Sequence, residues 1–538
     1  MKKFIAFTCI IFAFTLLSIF VAEKTDVLNL AERDLKASFT QDEDGRLTLS
    51  WERLPYPCFY KVETFSKNSG LINHSPDYHY ITGEYTMKSS CPVPTSAIPM
   101  YYRVTAYGMF GRITAPSPAI ANPLYAPPLA PVPISRYTKE NPASLMPFLV
   151  WHVVPTAVCY EVEILSGPPD EECGTRLSKG NHLTSTRQVF TNGWQADLRP
   201  FQKEANLYWR ARALGLHHEA IGEFCQAEPI YVSSEAKIPN SPLINDFDRM
   251  PDFKQPIYPV YDWIPLNGQK RYEVELLIHR PKVENNAIPT ADRVWYRTVE
   301  DLSTCYDEYA RPYAGEYYWR VRAIDEDGDT VGAYSDTAEF VVNAMPSRVR
   351  TAVFGDSITH GGGSLSYSPA SLEYSYTTYL DFPAINLGRS GDTSHTTAER
   401  FNTDVLPLNP MNLLILTGSN SLRAAGVTAS DVIEDLEAIR KACEKNDIRP
   451  IFLTLMPINP KSISYAFRTD TDPKWRSKLN IINNYIRRLP YHIDIEPYFY
   501  DATHTVMDYD FAIDGLHPDI RGKMMMGEII NQHQDLLR

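Results

Sequence analysis

Three side chains in the last third of the chain have the residue types of a nucleophile, its base and an acid. Ser357 stands where the apolar run 351–355 breaks into a turn that glycines follow. Asp514 precedes His517 by three residues, so its carboxylate can reach one imidazole nitrogen and leave the other for the serine proton. Together they could carry out acyl transfer through a covalent serine intermediate. Asp356 and Ser357 also suit a helix N-cap, and this stretch alone does not decide between the two roles.

Two further turns between the serine and the histidine offer hydrogen-bond donors. The segments 386–393 and 416–421 both pass from an apolar strand into a glycine-containing turn. The first contributes the backbone N–H of Gly391, and the second contributes the side-chain amide of Asn420. With the backbone N–H of Ser357, these groups could hold the negative oxygen of a tetrahedral intermediate.

In this order, the four blocks resemble the SGNH (GDSL-type) hydrolases, a family named for four recurring residues. The matching positions are Ser357, Gly391, Asn420 and His517, with Asp514 at the position of the triad acid. The resemblance implies a serine esterase or lipase-like acyl hydrolase over 346–538, with an α/β/α flavodoxin-like fold and neither cofactor nor metal. The third block of the family usually reads Gly-x-Asn-Asp, and Ser421 replaces that aspartate here. Because Asn420 is retained, we expect this change to tune the site and not to abolish it.

Other titratable residues near these blocks fit the catalytic roles less well. The alternative acids lack the spacing of Asp514 to the histidine: Asp501, Asp508 and Asp510. The alternative histidines lie in or near predicted loops: His360, His395 and His504. The first of these follows the serine too closely to act as its base. Asp356 and Asp392 are expected to fix turns through hydrogen bonds.

The elements that must position these residues alternate as in α/β proteins. We predict five strands, the third of them apolar enough to be buried on both faces: 349–355, 383–387, 411–417, 449–456 and 492–496. Helices are predicted at 430–446, capped by Ser430, and at 474–488. Pro518 is expected in the first turn of a closing helix that runs to the end of the chain. The segment 457–473 is predicted to be a loop, either solvated or overhanging the site.

The region before this domain repeats one pattern three times. Each copy has a tryptophan, eight residues and then Tyr-x-Val-Glu, beginning at Trp51, Trp151 and Trp263. Each copy ends in a strand that opens with an aromatic residue and an arginine, at Tyr102, Trp209 and Trp319. The alternation of apolar and polar residues is typical of half-buried strands, and a core tryptophan suits a β-sandwich of about 100 residues.

The repeated pattern resembles tandem fibronectin type III domains, which are all-β immunoglobulin-like sandwiches. The resemblance implies three such domains ahead of the catalytic domain, at 36–122 (the first repeat), 130–235 (the second repeat) and 238–343 (the third repeat). Modules of this kind serve spacing, adhesion or docking, and their expected partners are cell-surface polysaccharides or proteins. We interpret the repeated aromatics as core residues, with a carbohydrate platform as the alternative. Proline-rich linkers would make the repeats a stiff stalk.

The N-terminal segment 1–25 predicts export. Two lysines precede the apolar run 4–22 and acidic residues follow it, which by the positive-inside rule directs the bulk of the chain outwards. The length of the run lies between those of a signal-peptide core and a membrane span. Phe20 fits poorly before a cleavage site after Ala22, which favours a membrane anchor over a cleaved signal peptide, with a buried helix as the remaining alternative. The protein is therefore expected outside the cytoplasm, secreted or membrane-anchored.

Charge and cysteine usage argue against other classes of protein. The net charge is −13 without a lysine- or arginine-rich block, so no nucleic-acid partner is expected. No CxxC or His/Cys cluster indicates a metal site. We expect mostly buried free thiols. The alternative is disulfide pairing of Cys58 with Cys91, and of two among Cys159, Cys173 and Cys225.

The sequence therefore predicts an exported serine hydrolase of acyl or acetyl esters on extracellular glycans or lipids. One alternative is an acyltransferase that uses the same triad to load a sugar. Another is a surface adhesion or docking protein with a vestigial hydrolase domain. Transfer of label to a sugar in preference to water would indicate the first alternative, and an inert purified protein would indicate the second.

Overall fold

The computed structural model divides into two compact units, Met1–Ile238 and Pro239–Arg538. It describes residues 14–19, 21, 35–42, 46–55, 57–67, 78–93, 100–108, 111–112, 117, 120–121, 130–154, 157–215, 218, 220–249, 254–362, 374–501, 503–509 and 511–538. The first unit contains the first and second repeats. The second unit contains the third repeat together with the α/β domain.

Each repeat forms one three-stranded sheet and one larger sheet, both antiparallel. The first repeat has β1 (Ala37–Gln41), β2 (Leu47–Trp51), β3 (Phe59–Lys67), β4 (Tyr78–Thr86), β5 (Ser90–Pro92), β6 (Met100–Gly108), β7 (Gly111–Arg112) and β8 (Ile120–Ala121). The second has β9 (Val132–Pro133), β10 (Phe148–His152), β11 (Cys159–Leu165), β12 (His182–Val189), β13 (Gly193–Gln195), β14 (Leu207–Leu214) and β15 (Glu228–Ile230). The third has β16 (Leu243–Ile244), β17 (Val260–Ile264), β18 (Arg271–Leu277), β19 (Arg293–Glu300), β20 (Thr304–Tyr306), β21 (Gly315–Ile324), β22 (Thr330–Val331) and β23 (Ala338–Val342).

The residues that repeat in the sequence make the same contacts in each repeat. The conserved spacing brings a glutamate and an arginine of neighbouring strands together in Glu63–Arg103 (3.0 Å), Glu163–Arg210 (2.7 Å) and Glu275–Arg320 (2.8 Å). The tryptophans are buried core residues and offer no exposed platform to a carbohydrate: Trp51, Trp151 and Trp263. The three sequence repeats are therefore three structural repeats, and their assignment to fibronectin type III domains stays a prediction.

The α/β domain is built on a five-stranded parallel sheet in the order β25-β24-β26-β27-β28. Its strands are β24 (Thr351–Gly355), β25 (Ile385–Gly388), β26 (Asn412–Leu416), β27 (Arg449–Leu453) and β28 (His492–Ile493). Every residue of β24 and β26 is buried, as expected for strands that are covered on both faces. This order is that of flavodoxin-like sheets, whose ligands bind at the carboxyl ends of the strands where the order reverses. That point lies between β24 and β26.

Eight α-helices accompany this sheet within the described residues. They are α1 (Ser357–His360), α2 (Ser394–Glu399), α3 (Phe401–Asp404), α4 (Ser419–Arg423), α5 (Ala429–Lys445), α6 (Pro460–Phe467), α7 (Trp475–Ile486) and α8 (Ile520–Asn531). The predicted cap of α5 was wrong. Thr428 caps this helix and accepts the N–H of Asp431, so Ser430 lies inside the first turn. The closing helix begins after Asp519, its N-cap, so Pro518 precedes this helix and does not lie in its first turn.

The prediction that 457–473 is a loop was also wrong, because this segment contains α6. Asn459 caps the helix by accepting the N–H of Ser462. Pro460 takes the first helical position, where the N–H that proline lacks would have no partner within the helix. An asparagine followed by proline is therefore the local signal of this helix.

Two features that bear on export can be read from the described residues. Their cysteines are free thiols, so the alternative disulfide pairs do not form: Cys58, Cys91, Cys159, Cys173, Cys225, Cys305 and Cys443. Among the same residues no helix has both the length and the apolar character needed to cross a membrane. The run 4–22, on which the anchor prediction rests, lies largely outside the described residues.

Candidate active site

Ser357 is the first residue of α1, directly after the end of β24. Gly355 closes that strand, and a Cβ there would lie 1.9 Å from the carbonyl oxygen of Leu416. Only glycine therefore allows β24 and β26 to come this close. Asp356 is the N-cap of α1 and accepts the N–H of Ile358 at 3.0 Å. The capping role and the display of the serine at the strand end thus occur together.

Ser357, His517 and Asp514 form a continuous hydrogen-bonded series. Ser357 Oγ lies 2.8 Å from His517 Nε2, and His517 Nδ1 lies 2.9 Å from Asp514 Oδ2. The other carboxylate oxygen accepts the N–H groups of Leu516 and His517, both at 2.8 Å. Because the buried carboxylate accepts at Nδ1, that nitrogen carries the proton and Nε2 faces the serine as an acceptor. The short turn of residues 514–517 brings the carboxylate to the imidazole, and the imidazole reaches the hydroxyl of Ser357.

A buried lysine ties the helix after the histidine to the helix that begins with the serine. Lys523 of α8 donates from Nζ to the carbonyl oxygen of Ile358 at 2.5 Å. Burial lowers the pKa of Lys523 to about 7, against the attraction of the Asp356 and Asp514 carboxylates. Burial likewise raises the pKa of Asp356 to about 6. The charged groups beneath Ser357 are therefore shielded from water.

The three predicted oxyanion donors lie on adjoining turns. Gly391 has a φ of +89°, in the left-handed region where a side chain would be strained. Asn420 Nδ2 donates to the carbonyl oxygen of Asp392 at 2.9 Å, and its Oδ1 accepts from Arg423 Nε at 3.3 Å. Arg423 thereby fixes which way the amide faces. Within the described part of the chain, the backbone N–H groups of Ser357 and Gly391 have no acceptor.

Arg400 holds the turn of the second block against the nucleophile strand. Its buried guanidinium donates to Asp392 at 2.5 Å and to Asp404 at 2.7 Å. It also donates to the carbonyl oxygens of Gly355 and Leu387, both at 2.8 Å. A single cation thus fixes the ends of β24 and β25 and the turn that contains Gly391.

Ser421, which departs from the family pattern, still links the second and third blocks. Its hydroxyl accepts the N–H of Ser394 at 3.0 Å. Ser394 Oγ then donates to a carboxylate oxygen of Asp435 on α5 at 2.6 Å. Ser421 is therefore linked through Ser394 to the carboxylate of Asp435, whereas an aspartate at position 421 would itself supply a carboxylate.

Helix α6 ends beside His517. The ring of Phe467 meets that of His517 edge to face, with 5.8 Å between the ring centres. The guanidinium of Arg423 lies 5.9 Å from the centre of the Phe467 ring, and Arg423 also donates to Thr469 at 3.2 Å. An aromatic ring and a cation therefore flank the triad on this side.

Two of the alternative histidines have other contacts in the structure. His360 is buried, with Nε2 2.9 Å from the carbonyl oxygen of Tyr258 and Nδ1 2.9 Å from Ser390 Oγ. Burial lowers the pKa of His360 to about 4, so the ring is neutral near neutral pH. His395 is 70% exposed and pairs with Glu399 and with a carboxylate of α5.

Two of the other carboxylates are held by hydrogen bonds elsewhere. Asp501 accepts the N–H of Thr505 at 2.8 Å, and Asp392 accepts from Arg389 at 2.7 Å in addition to Arg400. Asp510 lies outside the described residues. Within the described ranges, no group of three or more His, Cys, Asp and Glu side chains is arranged to hold a metal ion.

Sequence reasoning missed the three cations that support the site, which are Arg400, Arg423 and Lys523. Arg423 follows Asn420 by three residues on α4, a helical spacing that could have indicated their contact. Lys523 stands among apolar residues of the closing helix and is buried there. Arg400 precedes Asp404 by four residues, a helical spacing that could have indicated this pair. No local pattern marks its contacts with Asp392 and with the two strand ends.

Known proteins are similar to the α/β domain of this chain. Residues 353–523 match the model of the GDSL-like lipase/acylhydrolase family, and the chain carries a domain of that family. Similar solved structures include a GDSL-like lipase from Bacteroides thetaiotaomicron (19% identity, covering 36% of this chain and 92% of the other, TM-score 0.30). Another is a lipase/acylhydrolase from Enterococcus faecalis (22% identity, covering 35% of this chain and 97% of the other, TM-score 0.29). A third is a variant acetyl xylan esterase from Geobacillus stearothermophilus (18% identity, covering 36% of this chain and 98% of the other, TM-score 0.28). No curated protein matches the chain.

Proposed function

We propose that this chain is an exported serine ester hydrolase that cleaves acyl or acetyl esters on extracellular glycans or lipids. The observation that carries the proposal is the series Ser357–His517–Asp514, with contacts of 2.8 and 2.9 Å. The match of the domain to acylhydrolases supports the reaction class. Export is supported by the charge pattern around the apolar run 4–22.

The first half of the reaction forms an acyl-enzyme. His517 Nε2 takes the hydroxyl proton of Ser357 as Oγ attacks the ester carbonyl carbon, and Asp514 stabilises the imidazolium. The carbonyl oxygen becomes an oxyanion that accepts hydrogen bonds from the N–H groups of Ser357 and Gly391 and from the amide of Asn420. When the intermediate collapses, the imidazolium gives its proton to the departing alcohol oxygen. An ester on Ser357 remains.

The second half of the reaction releases the acid. His517 takes a proton from water, whose oxygen attacks the carbonyl carbon of the acyl-serine. The same donors hold the second oxyanion. Its collapse breaks the bond to Ser357 Oγ, which regains the proton from His517. No other reactant is required.

The residues beside the base support esters of a sugar or of an amphipathic lipid. The ring of Phe467 offers an apolar face on which a sugar or an alkyl chain can pack. The cation of Arg423 near this ring can donate to hydroxyl or phosphate oxygens of the alcohol part. This combination suits an alcohol with both apolar and polar surfaces.

The test is hydrolysis by the purified chain of p-nitrophenyl esters from acetate to octanoate, and of acetylated xylan. Ser357→Ala serves as the control for background hydrolysis. Activity confined to short esters indicates a glycan deacetylase, and activity that rises with chain length indicates a lipid substrate. A folded native chain that hydrolyses none of these esters contradicts the proposal. A labelled acyl group that passes to a sugar faster than to water would replace hydrolysis with acyl transfer.

A further inference from the structure

Tyr306 of the third repeat contacts the turn that contains Gly391. Tyr306 is the last residue of β20, and its hydroxyl donates to the carbonyl oxygen of Ser390 at 2.6 Å. Ser390 directly precedes Gly391, and a Cβ on Gly391 would lie 3.8 Å from the Tyr306 hydroxyl. This contact joins two parts of the same compact unit that lie far apart in the sequence.

The bonded carbonyl and the predicted oxyanion donor belong to one peptide group. The C=O of Ser390 and the N–H of Gly391 lie in the same plane and point in opposite directions. A hydrogen bond that fixes the carbonyl therefore also fixes the direction of the N–H. It polarises the peptide group as well, which makes this N–H a stronger donor.

The other polar groups of Ser390 are held from the side of the nucleophile. Its N–H donates to His360 Nδ1 at 3.3 Å, and its hydroxyl lies 2.9 Å from the same nitrogen. The ring of His360 is in turn fixed at Nε2, 2.9 Å from the carbonyl oxygen of Tyr258. Since a carbonyl only accepts, Nε2 carries the proton and Nδ1 accepts from Ser390. Tyr258, like Tyr306, comes from the third repeat.

Tyr258 and Tyr306 are each held in place by further contacts. The Tyr258 hydroxyl donates to Asp404 at 2.6 Å, and its side chain is part of the hydrophobic core of the α/β domain. Arg297 donates to the carbonyl oxygen of Tyr306 at 3.2 Å, and its guanidinium lies 5.2 Å from the centre of the ring. The Tyr306 hydroxyl is thus held in place and is not at the end of a mobile side chain.

We propose that Tyr306 is a positioning residue of the ester hydrolysis, and that the third repeat is part of the catalytic unit and not a spacer. The inference rests on the proposed function, since it assigns Tyr306 to the direction and strength of the Gly391 donor. Loss of its hydroxyl lets the peptide group turn. The oxyanion is then held less well, while the ground-state ester, which makes weaker use of this donor, binds as before.

The test compares Tyr306→Phe with Tyr313→Phe in the full chain. Tyr313 lies in the same repeat and is 74% exposed, so its variant controls for the loss of a tyrosine hydroxyl there. We expect Tyr306→Phe to lower kcat for p-nitrophenyl acetate roughly tenfold, less than the loss of a direct oxyanion donor, with KM unchanged. The rate of phosphorylation of Ser357 by diethyl p-nitrophenyl phosphate should fall by a similar factor. Tyr313→Phe should match the native chain in both assays.

All rates are expressed per Ser357 that a fluorophosphonate probe labels at its end point, so that unfolded protein does not contribute. A Tyr306→Phe variant with the kcat of Tyr313→Phe overturns the inference, even when the native chain is a good esterase. A variant that raises KM and leaves kcat unchanged also overturns it, because that result describes substrate binding. An inert native chain contradicts the proposed function and this inference together.

Discussion

The second and third repeats have the same internal construction and lie in different compact units. Both contain a buried glutamate–arginine pair, Glu163–Arg210 at 2.7 Å and Glu275–Arg320 at 2.8 Å. The second repeat lies in a compact unit without the α/β domain, whereas the third shares its unit with that domain. The repeated pattern therefore builds the module, and other residues decide what the module does.

One position illustrates this difference. Gln195 pairs with Phe148 at the start of β10, and Tyr306 pairs with Val260 at the start of β17, so the two residues occupy equivalent places. Gln195 is buried and its amide donates within its own repeat, to the carbonyl oxygen of Met146 at 3.4 Å. Tyr306 instead donates to Ser390 of the α/β domain. At this position the longer tyrosine side chain contacts the turn before Gly391, whereas the glutamine contacts its own repeat.

The largest effect is expected from Ser357→Ala, which removes the chemistry and leaves both repeats unchanged. Without the nucleophile no acyl-enzyme forms, so kcat for p-nitrophenyl acetate should fall about 10⁴-fold or more. Steady-state kinetics of the purified variant checks this, with far-ultraviolet circular dichroism as the control for folding. Residual activity within tenfold of the native chain would show that another residue is the nucleophile.

The buried ion pairs test whether only the third repeat supports catalysis. Glu163→Ala and Glu275→Ala each leave a buried arginine without its partner, a change that typically costs about 3–5 kcal/mol. We expect Glu275→Ala to lower the urea concentration at which esterase activity is lost. Glu163→Ala should destabilise the second repeat and leave that concentration unchanged. Equal effects of the two variants on activity would remove the distinction between the repeats.

Asn420→Ala measures a direct oxyanion donor against the positioning contact of Tyr306. Loss of one such donor typically lowers kcat about 10²–10³-fold, so this variant should be more impaired than Tyr306→Phe. The measurement is kcat and KM for p-nitrophenyl acetate, with Asn446→Ala, at the end of α5, as the matched control. A loss below that of Tyr306→Phe would place the amide outside the oxyanion site.

The predictable part of the site consists of residues whose roles follow from local spacing. Asp514 and His517 are three residues apart, and Ser357, Gly391 and Asn420 each follow a strand end. Their sequence neighbours therefore carry the signal. The alternation of elements and the family resemblance also predicted an α/β domain, and the structure has one. Element ends were less predictable, because the capping hydroxyl of α5 belongs to Thr428 while Ser430 suits a cap equally well by type.

The unpredictable part consists of contacts between distant segments. Tyr306 and Ser390 are separated by 84 positions, and no spacing rule relates them. The repeated pattern predicts the core of each module. It does not predict which residues on the outer surface of a module contact another domain, so the sequence suggested a stalk. The faces that meet the α/β domain use isolated residues such as Tyr258. Only the folded chain brings such residues together.

The smallest effect is expected on the pH dependence of stability, through His360 at the contact between the third repeat and the α/β domain. Burial lowers the pKa of His360 to about 4, aided by the nearby charges of Arg400 and Lys523 and opposed by Asp392. Between pH 6.5 and about 4 the unfolded chain therefore binds a proton at this residue that the folded protein does not. His360 thus makes stability fall as the pH is lowered through this window, by about 3 kcal/mol at most. Asp356 acts in the opposite direction, because burial raises its pKa to about 6 and the folded protein holds the proton longer.

Comparison of His360→Gln with the native chain isolates the histidine, since Asp356 is present in both. The measurement is the urea midpoint for loss of fluorophosphonate labelling of Ser357, taken from pH 7.5 to 4.5. We expect the native midpoint to fall more steeply with acid than that of His360→Gln, although the variant starts lower because it loses the bonds to Tyr258 and Ser390. His395→Gln, at a histidine that is 70% exposed, should keep the native slope. Parallel slopes for the native chain and His360→Gln would mean that this buried imidazole does not couple acid to the contact that holds Ser390.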